Sequence, residues 1–582
     1  MGRKRIMAAV GVAAMLATGV TACSGGSGAD GSAGGAQFNA AVSKVFNASD
    51  AKGGTIRMAN PGDWDSLDPA DSYYSYEWDF SRLFGRSLLT FAPQPGPAGA
   101  KLVPDLATDL GKSSDDDKTW TYHLRTGVKF EDGSTVTAKD VKYAVERSLD
   151  KTVFPDGPTY FNDYLDLQGY TSAYKDTSKD KLGLKAIETP DDTTIVFHLK
   201  SAFAAFDYFA MLPATIPVPA AKDTGSDYKK HVVSSGPYMF GDNNQGKNFT
   251  LVRNPHWSQQ TDPLRKALPD KFEVALNTNA DDIDQRLLSG DLDFEVSGVG
   301  VQAAAQGKIL ADQKLKAETD NPTSARLWYT AINSDVAPLD NVHCRRAVLY
   351  AADKTSYQAA YGGSIGGDIA TNLQPPVIPG AQKFDPYPTP NNAGDEDKAK
   401  QELQACGQPT GFTTNISYRA ERPREKATAE SLQQSLAKVG IKLTIKPFPQ
   451  GDYGKLYAGK PDYAKNNSLG LMIFGWQADW PEGFGYFSQI VDSRVIRASG
   501  GNSNLGVKDP EVDQLIDKAA LTEDPTARLQ LWSQVDQKVM DDAYILPGLV
   551  AKSLLFRPAR GTNLFVSDGY GMYDYAAVGV KK

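Results

Sequence analysis

At 582 residues the chain exceeds what one hydrophobic core holds, and two or three domains are expected. Its 41% hydrophobic, 23% charged and 10% aromatic content excludes a disordered or fibrous protein. A formal charge of −8, with no Lys/Arg cluster after the first five residues, removes the footprint a nucleic-acid partner requires.

The chain opens with Arg3, Lys4 and Arg5 before an apolar run from Ile6 to Val20, the layout of a secretory signal peptide. Fifteen helical residues rise only about 22 Å, short of a bilayer core of roughly 30 Å, so a cleaved leader is expected over 1–22 rather than a permanent anchor. Val20-Thr21-Ala22-Cys23 resembles the bacterial lipobox, which implies diacylglycerol on Cys23 and attachment to the outer face of the cell membrane. Residues 24–37 are Gly/Ser-rich, and a flexible tether is expected over 23–52. Cleavage takes the formal charge three units lower. Only Cys344 and Cys406 then remain, and in an exported protein two thiols are expected to pair, two buried free thiols being the alternative.

Strand and helix signals alternate throughout. Trp120, Tyr122 and Leu124 alternate with polar residues, and Glu131-Asp132-Gly133 marks a turn. Thr137 with Asp140 forms a capping box ahead of Val141, Ala144 and Val145. Leu432, Leu436 and Val439 share a helical face that Gly440 ends, before Ile441, Leu443 and Ile445 alternate as a strand; such steps indicate α/β layering. Val512, Leu515, Ile516 and Ala519 predict one helix, and Asp524 with Pro525 starts another carrying Leu531, Trp532, Val535 and Val539.

Catalytic patterns fail on context. Gly362-Gly363-Ser364-Ile365-Gly366 fits a nucleophile elbow, but no buried strand is predicted before it and no helix after it. Gly298-Val299-Gly300-Val301-Gln302-Ala303 follows a strand-like segment, Leu292 to Val296, yet Lys308 to Thr319 is too polar for the second strand of a dinucleotide fold. Five scattered histidines lack metal-ligand spacing, so no metal or other cofactor is expected.

Ordered blocks after residue 53 resemble the oligopeptide- and dipeptide-binding family of ABC importers, solute-binding family 5. They include Asp65-Ser66-Leu67-Asp68-Pro69, Leu124-Arg125-Thr126-Gly127-Val128-Lys129-Phe130, Thr137-Ala138-Lys139-Asp140-Val141, Arg253-Asn254-Pro255-His256-Trp257 and Gly475-Trp476-Gln477-Ala478-Asp479-Trp480-Pro481-Glu482. The resemblance implies an α/β, two-lobed periplasmic-binding-protein type II (Venus-flytrap) fold with an extra inserted domain. The expected bounds are lobe I over 53–90, 223–328 and 551–582, the inserted domain over 91–222, and lobe II over 329–550.

The resemblance also implies a binding protein rather than an enzyme. It is expected to be monomeric, to capture a peptide between the lobes and to hand it to the transmembrane subunits of an ABC permease. In relatives the aspartate of the Gly-Trp-x-x-Asp block pairs with the peptide α-ammonium; by position this is Asp479, with Gly475 and Trp476 beside it. Peptide main chain would add as a strand near Tyr73, Tyr74 and Ser75. Two positions depart from the pattern. Gly483 stands where many relatives carry proline, and Gln477 where one has a disulfide cysteine. Other ligands on this fold include oligosaccharides and metal chelates, and an exported hydrolase built on Ser364 is the reading from a different class.

Overall fold

The computed structural model of the protein describes residues 37–581, so the leader and Cys23 lie outside the described residues. Two sheets form separate lobes. In the first, strands 294–295, Thr55–Ala59, Lys271–Ala275, Asn248–Arg253 and Tyr238–Asn244 lie side by side in that order. Thr55–Ala59 runs parallel to both of its neighbours, and the rest of the sheet is antiparallel.

The second sheet has six strands in the order Gly367–Ile369, Ile545–Lys552, Thr323–Ile332, Leu469–Gln477, Thr413–Arg419, Lys442–Phe448. Its central strand Leu469–Gln477 is buried along most of its length, and a continuous apolar run is what a strand covered on both faces needs. Thr413–Arg419 and Lys442–Phe448 pair in parallel through the helix Pro423–Ala437, a βαβ step. Gly440, at φ +88°, ends that connection in the left-handed region that only glycine enters without cost.

A third, four-stranded antiparallel sheet lies between the two parts of the first lobe. It orders Lys112–Ser114, Thr119–His123, Thr194–His198 and Ile187–Asp191. Helix Ala138–Ser148 covers it, and at its start the Asp140 carboxylate accepts from both the amide and the hydroxyl of Thr137 at 2.8 Å. Arg147 ties this domain to the first lobe: its guanidinium grips Asp68 at 2.7 and 2.8 Å and also reaches Asp223.

The chain crosses between lobes where Thr319–Asp320 pairs with Leu555–Phe556. The second lobe's sheet begins at Thr323, inside the stretch expected to belong to the first lobe, because the crossover is made by this short ladder. Residues 37–52 differ from the expected tether. Ala40 and Ala41 are buried, and the Ala41 amide donates to Asp320 at 2.9 Å. Asp320 also accepts from Arg557 and from the Tyr573 hydroxyl, and Arg557 donates to the Gln37 carbonyl at 2.7 Å. Small side chains let this segment lie flat on the crossover, a contact that its composition does not advertise.

Cys344, in helix Val342–Ala351, and Cys406, at the end of helix Glu396–Ala405, are joined as a disulfide with their Cα atoms 5.4 Å apart.

Candidate functional site

Strands Thr323–Ile332 and Leu469–Gln477 run antiparallel with Arg326 opposite Gln477 and Trp328 opposite Gly475. A Cβ on Gly475 would lie 2.2 Å from the Trp328 ring, so glycine there lets the indole lie across the strand. Beyond this bare position Trp476, Gln477, Ala478 and Asp479 pass into a cleft between the lobes. They line a cavity of about 380 Å³ together with Tyr73, Tyr74, Ser75, Asp65 and Asp156. All six expected ligand-binding positions, Gly475, Trp476, Asp479, Tyr73, Tyr74 and Ser75, therefore border one space.

Asp479 is the centre of it. One carboxylate oxygen accepts from the Tyr73 hydroxyl at 3.0 Å and from the Tyr160 hydroxyl, so a single acid gathers the first lobe, the inserted domain and the second lobe. Among the described residues no Lys, Arg or His forms an ion pair with it, and burial pushes its carboxyl up to about 7 against the help of the two hydroxyls. Burial and the neighbouring acid hold both phenols well above their usual range, which keeps them donors. Asp65 is raised to about 6 by burial and then by Asp156 and Asp71. A desolvated carboxylate with a free oxygen and further acids at hand is a receptacle for a cation.

The segment Tyr73–Ser75 differs from the expected strand edge. Tyr74 is the extended N-cap residue of a helix that Ser75 begins, Ser75–Ser81, so Ser75 is helical and the segment is part of no sheet. Ser75 instead accepts from the Gln477 amide at 3.2 Å, a contact across the cleft.

Behind Asp479 the inserted domain meets the second lobe through aromatic rings. Trp480 stacks on Tyr208 at 5.5 Å and on Phe484 at 6.2 Å, and Phe203 lies 4.7 Å from Phe484. Gly483 is confined here: an added Cβ would fall 2.1 Å from the ring of Trp532, whose Nε1 donates to Glu482 at 2.6 Å. Proline at 483 is incompatible with that ring.

Sequence reasoning missed Tyr160, Asp156, Arg326 and Asp65's place in the cavity. Arg326 carried a signal, a lone cation in a strand otherwise apolar from Ala325 to Ile332 apart from Thr330. Tyr160 carried none. The glycine patterns fall as expected. Ser364 is exposed in a turn between helix Lys354–Ala360 and strand Gly367–Ile369, the reverse of a nucleophile elbow. Gly298 and Gly300 lead into helix Ala303–Ala311, followed by a second helix, Gln313–Ala317, rather than by a parallel strand. Among the described residues no group of three His, Cys, Asp or Glu is placed to hold a metal ion, and no helix is long and apolar enough to cross a membrane.

Residues 101–496 match the family model described as bacterial extracellular solute-binding proteins, family 5 Middle. The chain is 27% identical over 495 residues to the probable D,D-dipeptide-binding periplasmic protein of Escherichia coli, covering 84% of this chain and 86% of the relative. It is 29% identical over 490 residues to heme-binding protein A of Haemophilus influenzae, covering 80% and 82%. Among solved structures, the clavulanic acid biosynthesis oligopeptide binding protein 2 superposes with a TM-score of 0.91 at 42% identity, covering 94% of this chain and 99% of that one.

Proposed function

Because the chain belongs to family 5 of the bacterial extracellular solute-binding proteins, two-lobed transport binding proteins rather than enzymes, we propose that it binds peptides in the interlobe cleft and delivers them to an ABC permease. The observation that carries this reading is Asp479, a carboxylate held by Tyr73 and Tyr160 in a cavity whose one lining cation, Arg326, forms no ion pair with it among the described residues. Every free peptide brings one ammonium at a fixed place, and a site closing over it exchanges water for a charge-assisted hydrogen bond. Asp65, Asp156 and Asp479 line the cavity with only Arg326 against them, an acidic balance that favours a ligand bearing a cation over an uncharged oligosaccharide. Closure of the lobes about the crossover at 319–320 and 555–556 presents the permease with a surface the open form lacks.

Truncating one partner of such a buried pair typically costs about 2–5 kcal/mol, roughly 30- to 5,000-fold in affinity. Calorimetry with Asp479→Ala and with N-acetylated peptide should each show a loss of this size, and the two losses should not add. Equal affinities for free and acetylated peptide on wild type would remove the reading. Lipid attachment at Cys23 is part of the same proposal: wild type should fractionate with membranes and Cys23→Ala with the soluble fraction, equal partitioning counting against it.

A further inference from the structure

The ladder by which the two crossing segments hold each other is only two residues long, Thr319 opposite Phe556 and Asp320 opposite Leu555. A pair of strands so short is marginal in water. Residues 37–49 lie over it as a strap. The first half docks on the outgoing segment: the Asn39 amide donates to the Thr319 carbonyl at 3.0 Å, the Asn39 side-chain oxygen accepts from the Asn321 amide at 2.7 Å, and the Ala41 amide reaches Asp320. The second half docks on the returning segment. Phe46 and Leu564 exchange backbone hydrogen bonds at 2.7 and 3.0 Å, the Asn47 carbonyl accepts from the Asn563 amide, and the Arg557 guanidinium covers the Phe46 ring at 4.8 Å. Asn39 and Asn47 stand at φ +62° and +59°, left-handed corners that asparagine enters more readily than other side chains.

Among the described residues, every hydrogen bond from the strap to the rest of the chain goes to 319–321, to Arg557 or to 561–566. The second lobe takes hold immediately beyond. Thr323 pairs with Lys552, whose amide donates to the Gly366 carbonyl at 3.0 Å. Leu554 is already held from the first lobe, its carbonyl accepting from the Val301 amide at 3.0 Å. One residue on each crossing is left between the two sets of fastenings, Pro322 and Ser553. They are close in space, since the side-chain nitrogen of Asn321, in the orientation its surroundings satisfy, donates to the Ser553 carbonyl at 3.2 Å.

We propose that the strap is a working part of the hinge: by clamping both crossings to the first lobe it confines the bend to Pro322 and Ser553 and so fixes the axis about which the cleft closes. The proline ring locks φ, which narrows that axis further. A hinge clamped in this way loses less conformational freedom when the lobes close over a ligand. Every residue that a released strap sets free must be fixed again on closure, and freeing one lowers affinity roughly 5- to 30-fold. The strap itself stays docked whether the cleft is empty or filled.

Residue-resolved hydrogen exchange on the chain from residue 23 onward tests this. In the empty wild type the amides of Asn39, Ala41, Phe46, Leu564 and Val566 should exchange about 100-fold more slowly than those of exposed residues 43–45. Strap amides that exchange at the free-chain rate overturn the proposal. Asn39→Ala and Phe46→Ala, both outside the buried core, each loosen one half of the strap. Each should raise exchange at 319–321 and 555–557 about 10-fold and leave the central strand Leu469–Gln477 unchanged. Crossings that stay as protected as in wild type overturn the clamp. A mixed tripeptide library added to wild type should slow exchange at Thr323, Ser553 and Leu554 and leave the strap amides alone; strap amides that respond as strongly place the bend in the strap and overturn it. In calorimetry both variants should bind the library more weakly by the factor above, and undiminished affinity in a variant with loosened crossings refutes the role in binding. A library without effect on wild type removes the peptide reading instead, and the two exchange measurements on the empty protein then decide the strap.

Discussion

Peptide binding should move protons, and the direction should reverse between pH 6 and pH 8. With its carboxyl at about 7 in the empty cleft, Asp479 is about nine-tenths protonated at pH 6. An ammonium seated beside it favours the charged form, so binding at pH 6 should release about 0.9 proton. At pH 8 the acid is already ionised, but a free α-amino group near 7.8 is more than half deprotonated, and binding should take up about half a proton. Calorimetry in two buffers of different ionisation enthalpy gives the proton number directly at each pH. Asp479→Asn should remove about 0.9 proton from the release at pH 6 and keep the uptake at pH 8. Asp65, at about 6 in the same cavity, can add at most about half a proton at pH 6, and Asp65→Asn isolates its share. A wild type that releases nothing at pH 6, or a variant that releases as much, would refute the argument.

The same carboxyl links pH to stability in the empty protein. Its folded value lies above the ordinary 3.8, so the folded state holds the proton more tightly. The resulting stabilisation, about 2–4 kcal/mol, is present below pH 4 and lost as pH rises through 7; denaturant titrations of wild type and Asp479→Asn should differ in slope over that window. Reducing the Cys344–Cys406 bridge frees a loop of 62 residues and should cost about 4 kcal/mol, read as a fall in the denaturation midpoint that Cys344→Ser reproduces. Gly483→Ala, which drives a methyl into the Trp532 ring, should destabilise by about 1–3 kcal/mol, and an unchanged melting temperature would contradict the packing described. Phe484→Ala removes a ring shared by the inserted domain and the second lobe and should cost about 3–5 kcal/mol, checked by denaturant unfolding.

Local chemistry was readable from the chain wherever it is local in the fold. The Thr137/Asp140 box, the Gly440 stop and the Asp524/Pro525 start each act within one turn of backbone, and each sits where its residues require. Asp479, Trp476 and the Tyr73–Ser75 segment came from resemblance to a family, not from spacing, since nothing near 479 in sequence marks a cavity. The remainder was hidden because it depends on pairings across hundreds of residues. Tyr160 reaches Asp479 from 319 positions away, and no periodicity in the inserted domain singles it out from its neighbouring tyrosines. Arg326 shows why a visible oddity is not yet a site: a cation in a strand is ordinarily answered by an acid, and only the assembled sheet reveals that the neighbouring acid, Glu425, is already taken. Residues 37–52 erred the other way. Flexible composition upstream suggested continued freedom, whereas Ala40 and Ala41 fit a shallow surface that two distant segments create together.

That anchored leading segment has a mechanical meaning. It is fastened first at the crossover, to Asp320 and Arg557, the pair that joins the two interlobe strands, and then to the first lobe, where Phe46 bridges to Leu564 and the Ser49 amide donates to Asn563. A pull transmitted through residue 37 is therefore taken up first beside the pivot, where its lever arm on the second lobe is short. Tension on the chain's leading end reorients the whole molecule but applies almost no torque to the mouth of the cleft, so the balance between open and shut is left to the ligand.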